Sequence, residues 1–356
     1  YPQIDKEACI HCGLCEKVCP IDKMVEAPAV QKTYAAVHRN SEVLAKSTSG
    51  GAFTAIADVI FAQGGIVYGA AMLDDMQVKH IRTSSKDDFE GLRSSKYLQS
   101  DTRTTYQMVE QDLKQGKTVL YSGTPCQIDG LKNFLGKDYE NLYTADIVCH
   151  GVGSQDYFDK YMDFARERYG KIKALRFRSK EYAGWSCGGV VVVGTSNSEK
   201  KIPYRDFDNY YYSYFLSGDI YRKCCYSCKY ANTKRVGDLS LGDYWGVEAL
   251  HLPLETENGC SLLLANNERA VKFLEMIDDL DKIETTVEQA AHCNKQLNEP
   301  SRLPESRKKR IEEYESMSGQ QIQEVYLKTH RKTVVKGKLK ALMPYKLKLL
   351  IRSKRK

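Results

Sequence analysis

Residues 118–151 read T-V-L-Y-S-G-T-P-C-Q-I-D-G-L-K-N-F-L-G-K-D-Y-E-N-L-Y-T-A-D-I-V-C-H-G. The short apolar run Thr118–Tyr121 predicts a strand, and Gly123-Thr124-Pro125 predicts a turn into a helix that lasts to about Leu135. Tyr143–Val148 predicts the next strand, and a further helix is expected from about Ser154 to Tyr169. The same alternation continues on both sides. Upstream it predicts a helix at Gly51–Phe61, strands at Gly65–Leu73 and Val78–Thr83, and a helix at Asp101–Gln115 with Asp101 as its N-cap. Downstream, residues 172–204 turn strand-rich and suggest an antiparallel addition. Val236–Leu241 and Ser261–Ala265 predict strands, and helices are expected from about Asn267 onward. The fold class is therefore α/β, with a largely parallel sheet.

An apolar fraction of 42% beside 28% charged residues in 356 excludes wholesale disorder. The most apolar stretch, Gly50–Leu73, is interrupted by Asp58 and Gln63, so no membrane-spanning helix is expected. The chain starts at Tyr1 without a signal-peptide pattern, and residues upstream are expected. Net charge is +7, but Lys328–Lys356 alone holds 12 Lys or Arg and no acid. That leaves 41 basic against 46 acidic residues elsewhere, so overall basicity gives no argument for nucleic-acid binding.

Twelve cysteines dominate the composition. Residues 9–20 read C-I-H-C-G-L-C-E-K-V-C-P, the C-x2-C-x2-C-x3-C-P run of bacterial ferredoxins. Such spacing lets one tight loop aim several soft thiolates at an iron–sulfur cluster. The bland alternative is a zinc knuckle or four structural cysteines. On the ferredoxin pattern, Cys9, Cys12 and Cys15 share a 4Fe-4S cluster with a cysteine absent from this sequence, and Cys19 serves a second cluster. Residues 1–26 are expected to form this ferredoxin-like 4Fe-4S segment, whose start is expected upstream of Tyr1, and residues 27–45 a connector.

A second set lies in the body. Cys225 and Cys228 form C-x2-C, Cys224 is out of step by one, and Cys126 and Cys149 follow the two strands quoted above. Four thiols can hold another cluster or a zinc, while Cys126 and Cys149 can equally be small core residues. Cys187, Cys260 and Cys293 read as structural. Three loops are suited to an anion or a planar cofactor: Ser47–Gly51, Ser94–Ser100 and Ser122–Pro125. Each can also be a plain helix cap or turn, and no G-x-G-x-x-G follows a strand.

Taken in order, K-S-T-S-G-G-A-F-T-A-I-A, S-S-K-Y-L-Q-S-D, Y-S-G-T-P-C-Q-I-D-G-L, D-I-V-C-H-G-V and C-C-Y-S-C-K-Y-A-N-T-K-R-V-G-D-L-S-L-G-D-Y-W-G resemble the coenzyme F420 hydrogenase/dehydrogenase beta-subunit family. The resemblance runs from the cysteine run to about Arg310. It implies an FAD- and 4Fe-4S-binding domain at 46–310 and an iron–sulfur flavoprotein oxidoreductase. Electrons would pass between ferredoxin-type clusters and FAD, and on to coenzyme F420 or another organic small-molecule substrate. Ferredoxin or another redox partner is implied. The resemblance also implies Cys126, Cys149, Cys225 and Cys228 as ligands of an inner cluster. It implies FAD contacts at Ser49, Gly50, Gly51, Ser95, Lys96, Tyr97, Gln99, Ser122, Gly123 and Thr124. Lys96 would place a charge near the flavin, and its alternative is an ordinary surface lysine. His150 would donate to a cluster sulfur or a substrate, and its alternative is a loop cap. The rival function is a non-catalytic electron-transfer or assembly protein, and a zinc-binding interaction module is a more distant one.

Residues 311–356 form a helical basic tail. Leu339, Leu342, Met343, Leu347, Leu350 and Ile351 recur at spacings of three or four among lysines, with Pro344 expected to kink the stripe. This fits peripheral contact with an anionic inner membrane surface, or a helix packed on the body. The protein is expected to be cytoplasmic, with no nucleic-acid partner.

Overall fold

The structure, a computed structural model, describes residues 4–21, 24–195 and 198–342. Its strands are β1 (Lys32–His38), β2 (Ile66–Met72), β3 (Val78–Thr83), β4 (Val119–Gly123), β5 (Leu142–Ile147), β6 (Ile172–Arg176), β7 (Gly188–Thr195), β8 (Ser198–Arg205), β9 (Leu239–Asp243), β10 (Ser261–Ala265) and β11 (Leu280–Thr285). Eight of them form one sheet in the order β11-β1-β10-β9-β5-β4-β2-β3, and β6, β7 and β8 form a second, antiparallel one.

The parallel heart of the large sheet is β2-β4-β5-β9. It is flanked by antiparallel β3 on one side and by β10, β1 and β11 on the other. The sheet is thus mixed rather than largely parallel. The short link from β2 to β3 across Leu73–Gln77 can join only antiparallel neighbours, because a parallel return needs a long crossover. Residues 27–45, expected as a connector, instead supply β1, second from the edge and mostly buried. Its small Ala35 and Ala36 carry little strand signal but fill a crowded central position. The region where helices are expected to dominate also supplies β11, whose apolar residues are diluted by Asp281, Lys282 and Glu284 as suits an edge.

The quoted unit folds as read. Strand β4 is buried on both faces, the pattern of a parallel strand covered by helices. Helix Pro125–Leu135 has Pro at its first turn and a reciprocal Thr124–Gln127 capping box. It stops at Gly136, whose φ of 66° a residue with a Cβ adopts poorly. Ile128 and Leu131 are fully buried, worth roughly 1.5–3 kcal/mol each. The next helix upstream starts at Thr105, not beside Asp101. Asp101 continues the pairing along β3 (its N–H to the Val78 carbonyl, 2.9 Å; the His80 N–H to its own carbonyl, 2.8 Å), so extended pairing overrides the cap.

Helix Tyr210–Leu216 buries Tyr210, Tyr211, Tyr212, Tyr214 and Phe215 against helix Gln155–Tyr169 and the small sheet. This aromatic wedge delivers the chain to the C-x2-C loop. The last described helix, Arg331–Leu342, packs Val334 inward and leaves Leu339 at 61% exposure. Met343, Pro344, Leu347, Leu350 and Ile351 lie outside the described residues. Among the described residues no helix is long and apolar enough to cross a membrane.

Candidate functional site

Gly123 at the end of β4 lies beside Asp146 near the end of β5, so the residues that follow emerge side by side. Cys126 is the second residue of helix Pro125–Leu135, and Cys149 comes two residues after β5. Crevices beyond the carboxyl ends of parallel strands are where such sheets bind ligands. The loop at Lys223–Cys228 closes over this point. Cys126, Cys149, Cys225 and Cys228 thereby border one hollow of about 40 Å³. That exceeds the roughly 10–15 Å³ a single water needs. Among the described residues no three His, Cys, Asp or Glu side chains gather to hold a single ion; the four thiols surround a space rather than a point. Cys224 is exposed and does not border the hollow.

The thiols of the hollow are hard to ionise, and the backbone groups around them partly offset this. Burial pushes the thiols of Cys149, Cys225 and Cys228 up, Cys225 to about 12, and repulsion among the neighbouring thiols adds to this. Backbone N–H groups act in the other direction: Gly151 toward Cys149, Val152 toward Cys225, and Tyr230 and Ala231 toward Cys228. A Cβ at Gly151 would collide with the Tyr221 ring, so only glycine lets the backbone pass here. The Thr124 hydroxyl lies 3.1 Å from the Cys126 sulfur.

Arg235 is the residue that sequence reading passed over. Its guanidinium is buried at the hollow and pairs with fully buried Asp146 (2.5 Å). It also donates to the carbonyls of Tyr230 (3.0 Å) and Ile147 (3.0 Å) and to the Ser240 hydroxyl (3.2 Å). One side chain thus ties the Cys228 loop to the end of β5 and the start of β9. A second unread group stands where β9 ends. Asp243 pairs with Arg178 and accepts from Trp185 Nε1 (2.7 Å). Trp185 stacks on Trp245 at 5.0 Å, with Arg178 over the Trp245 ring. Trp245 lies sixty residues from Trp185, and their stack with Arg178 gave no pattern to read. His150 is at the exposed rim of the hollow, and its carbonyl accepts from Ser301 Oγ (2.6 Å).

In the N-terminal run, Gly13 (φ 68°) opens a single helical turn at Leu14–Lys17 that buries no residue. Cys12 and Cys15 are exposed, and Cys9 and Cys19 are half-buried.

The three cofactor loops have separate structural duties. Ser49 Oγ donates to the Cys260 carbonyl (2.8 Å). A methyl group at Gly50 would strike the backbone of Ala36 and Ser261, and Gly51 (φ 88°) is the left-handed cap of helix Ala52–Ala62. Lys96 is not an ordinary surface lysine. Its ammonium donates to the carbonyls of Gly91 (2.9 Å), Leu92 (3.0 Å) and Arg93 (2.6 Å), closing the helical turn before it. Burial draws its pKa down to about 7, while the three acceptors favour the charged form. Tyr97 stacks on Phe215 (4.6 Å) in the aromatic wedge, Gln99 accepts from Arg222, and Ser95 is half-buried between these elements. Ser122 offers its carbonyl to His80 Nε2 (3.0 Å), Gly123 sits against the same ring, and Thr124 caps the cysteine-bearing helix. Three buried polar atoms beside these loops lack a protein partner among the described residues: His38 Nε2, Thr48 Oγ1 and His80 Nδ1.

Residues 116–290 match the family described as the C terminus of the beta subunit of coenzyme F420 hydrogenase/dehydrogenase, and residues 2–22 match the 4Fe-4S binding domain. No curated protein matches the chain. Among solved structures, a chain of the F420-reducing [NiFe] hydrogenase complex from Methanosarcina barkeri, solved as a xenon derivative, is similar. It is 16% identical over 79% of this chain and 99% of that one, with a TM-score of 0.47.

Proposed function

We propose, from the premise that residues 116–290 belong to the coenzyme F420 hydrogenase/dehydrogenase beta-subunit family behind a 4Fe-4S binding domain, that this chain is an iron–sulfur oxidoreductase with two cluster-binding regions. The observation that carries the proposal is the shared hollow of Cys126, Cys149, Cys225 and Cys228. Four crowded thiols raised by burial and mutual repulsion ionise together only when metal supplies positive charge, and their sulfurs already face N–H donors and a buried arginine. Cys9, Cys12, Cys15 and Cys19 form the other region. Anaerobic reconstitution with iron and sulfide, followed by metal, sulfide and EPR analysis, tests this. Uptake of zinc in preference to iron at both regions would overturn it.

FAD is the finer proposal. Two loops fit it: Thr48–Gly51 and Ser122–Thr124, where buried Thr48 Oγ1, His38 Nε2 and His80 Nδ1 await partners. In the third, Ser95–Gln99, the polar groups of Lys96 and Gln99 are engaged inside the fold, so Lys96 enters as the group that holds the loop. A cluster moves single electrons, and a flavin moves two together or one at a time, so the pair couples ferredoxin-type donors to an organic acceptor. The chain's own residues would orient and shield that exchange: Arg235 balances charge at the thiolates, and His150 at the rim can offer or hold a proton. The acceptor would be coenzyme F420 or another small organic molecule, and a further redox subunit or ferredoxin the partner.

The engaged Lys96 and Gln99 favour a second reading, a flavin-free protein that passes single electrons to a partner enzyme. Flavin content after native purification decides between them. A cytoplasmic protein with peripheral membrane contact through residues 328–356 completes the proposal. Co-sedimentation with anionic vesicles, lost on truncation near Tyr326, is the outcome expected of it.

A further inference from the structure

Asp129 is fully buried one helical turn after Cys126. Its Oδ1 accepts from the backbone N–H of Val25 (2.9 Å) and from Asn133 Nδ2 (2.9 Å). Its Oδ2 accepts from the Tyr230 hydroxyl (2.6 Å). Val25 follows the N-terminal cysteine run, and Tyr230 comes two residues after Cys228. One carboxylate therefore joins the segments that carry Cys19, Cys126 and Cys228. A second link lies outside it, where Lys229 Nζ donates to the Ile21 carbonyl (2.7 Å), two residues past Cys19.

Among the described residues, the N-terminal segment has little else to hold it. Its helical turn buries nothing, and Ile10 is 83% exposed and Leu14 61%. Downstream of it, Ala27 packs against the same apolar cluster as Tyr230. A buried carboxylate demands several donors, and two of those at Asp129, Val25 and Tyr230, come from segments about 200 residues apart in the chain. Seating Ile21 and residues 24–27 therefore stabilises the Cys228 loop, and the ordered loop in turn favours seating, since such coupling is reciprocal.

We propose that Asp129 is a positioning residue, the junction that seats the N-terminal cysteine run against the inner cysteine hollow, with Lys229 as an outer latch. Resting on the iron–sulfur reading above, this gives the two cluster regions a fixed mutual placement, so that electrons pass between them within the chain. Asparagine at 129 would offer one acceptor oxygen where three donors converge.

The test uses the full chain with Asp129→Asn, Tyr230→Phe and Lys229→Met. Tyr230→Phe removes one hydroxyl and Lys229→Met alters an exposed side chain, so both keep the test open if the buried substitution does not fold. Amide hydrogen exchange over residues 24–27 in the metal-free chain is the first readout. Each variant is expected to exchange faster, Asp129→Asn by about tenfold, the effect of one lost charged hydrogen bond. The second readout is magnetic coupling between the two reduced clusters in the EPR spectrum, expected to weaken at unchanged iron content. Wild-type exchange and wild-type coupling in the variants would overturn the proposal. A wild-type chain that takes up no iron and sulfide would sink the iron–sulfur reading instead, while the exchange measurement would still decide whether Asp129 seats the segment.

Discussion

Cys9, Cys12, Cys15 and Cys19 fall within eleven residues on a segment whose helical turn buries nothing. Cys126, Cys149, Cys225 and Cys228 come from three separate stretches and meet at the ends of two parallel strands under a buried Arg235–Asp146 pair. In the first region chain proximity brings the thiols together, and order depends on what they bind. In the second a packed scaffold brings them together, and what they bind has little left to organise. Metal should therefore matter greatly to the order of the N-terminal segment and little to the fold of the body, because binding energy becomes folding energy only where no site is preformed.

The contrast can be broken most sharply at Cys149. On the iron–sulfur proposal, Cys149→Ser should abolish the inner cluster while the N-terminal one remains. Iron and sulfide analysis with EPR would show one cluster signal missing and the other intact. Loss of both signals would mean that the regions are not independent.

Arg235→Ala should cost about 3–5 kcal/mol, since it leaves the buried Asp146 carboxylate unpaired. Urea unfolding of the metal-free chain measures this, and a cost below about 1 kcal/mol would show that the scaffold does not depend on the pair.

Acid supplies the next test of the preformed body. Burial holds the His80 pKa at about 4 against 6.5 for the free group. The unfolded chain therefore takes up the proton first. The stability tied to the neutral ring is fully present above pH 6.5 and is lost as pH falls toward 4, on the order of 2–3 kcal/mol. His80→Gln should flatten that part of the stability–pH curve.

Lys96→Met should remove about 1–2 kcal/mol by freeing three carbonyls of their cation, read as a lower midpoint in urea. The smallest effect is expected at the other pole. Cys12→Ala should strip iron from the N-terminal region yet shift the stability of the body by no more than about 0.5 kcal/mol, the usual range for an exposed side chain away from a core. A larger shift would mean that the body leans on the N-terminal cluster.

What could be read without coordinates follows the same division. The N-terminal run was legible because its chemistry lies in local spacing. The β4–helix–β5 unit was legible because Pro125, the Thr124–Gln127 cap and Gly136 mark a helix between two buried apolar runs. The inner cysteine set was named from resemblance to a family; spacing alone left it open between metal and core. Strands β1 and β11 went unread because Ala35 and Ala36 are poor strand formers by themselves, and because Asp281, Lys282 and Glu284 hide an edge strand's alternation. Lys96 was named as a flavin contact from the family resemblance, and no local pattern foretold that its ammonium would donate to three carbonyls at a helical turn. Arg235, Asp129 and the Trp185–Trp245 stack belong wholly to the tertiary structure. Their partners lie as much as about 100 residues away, and no local pattern records which distant carboxylate, hydroxyl or ring the packed sheet will bring to them.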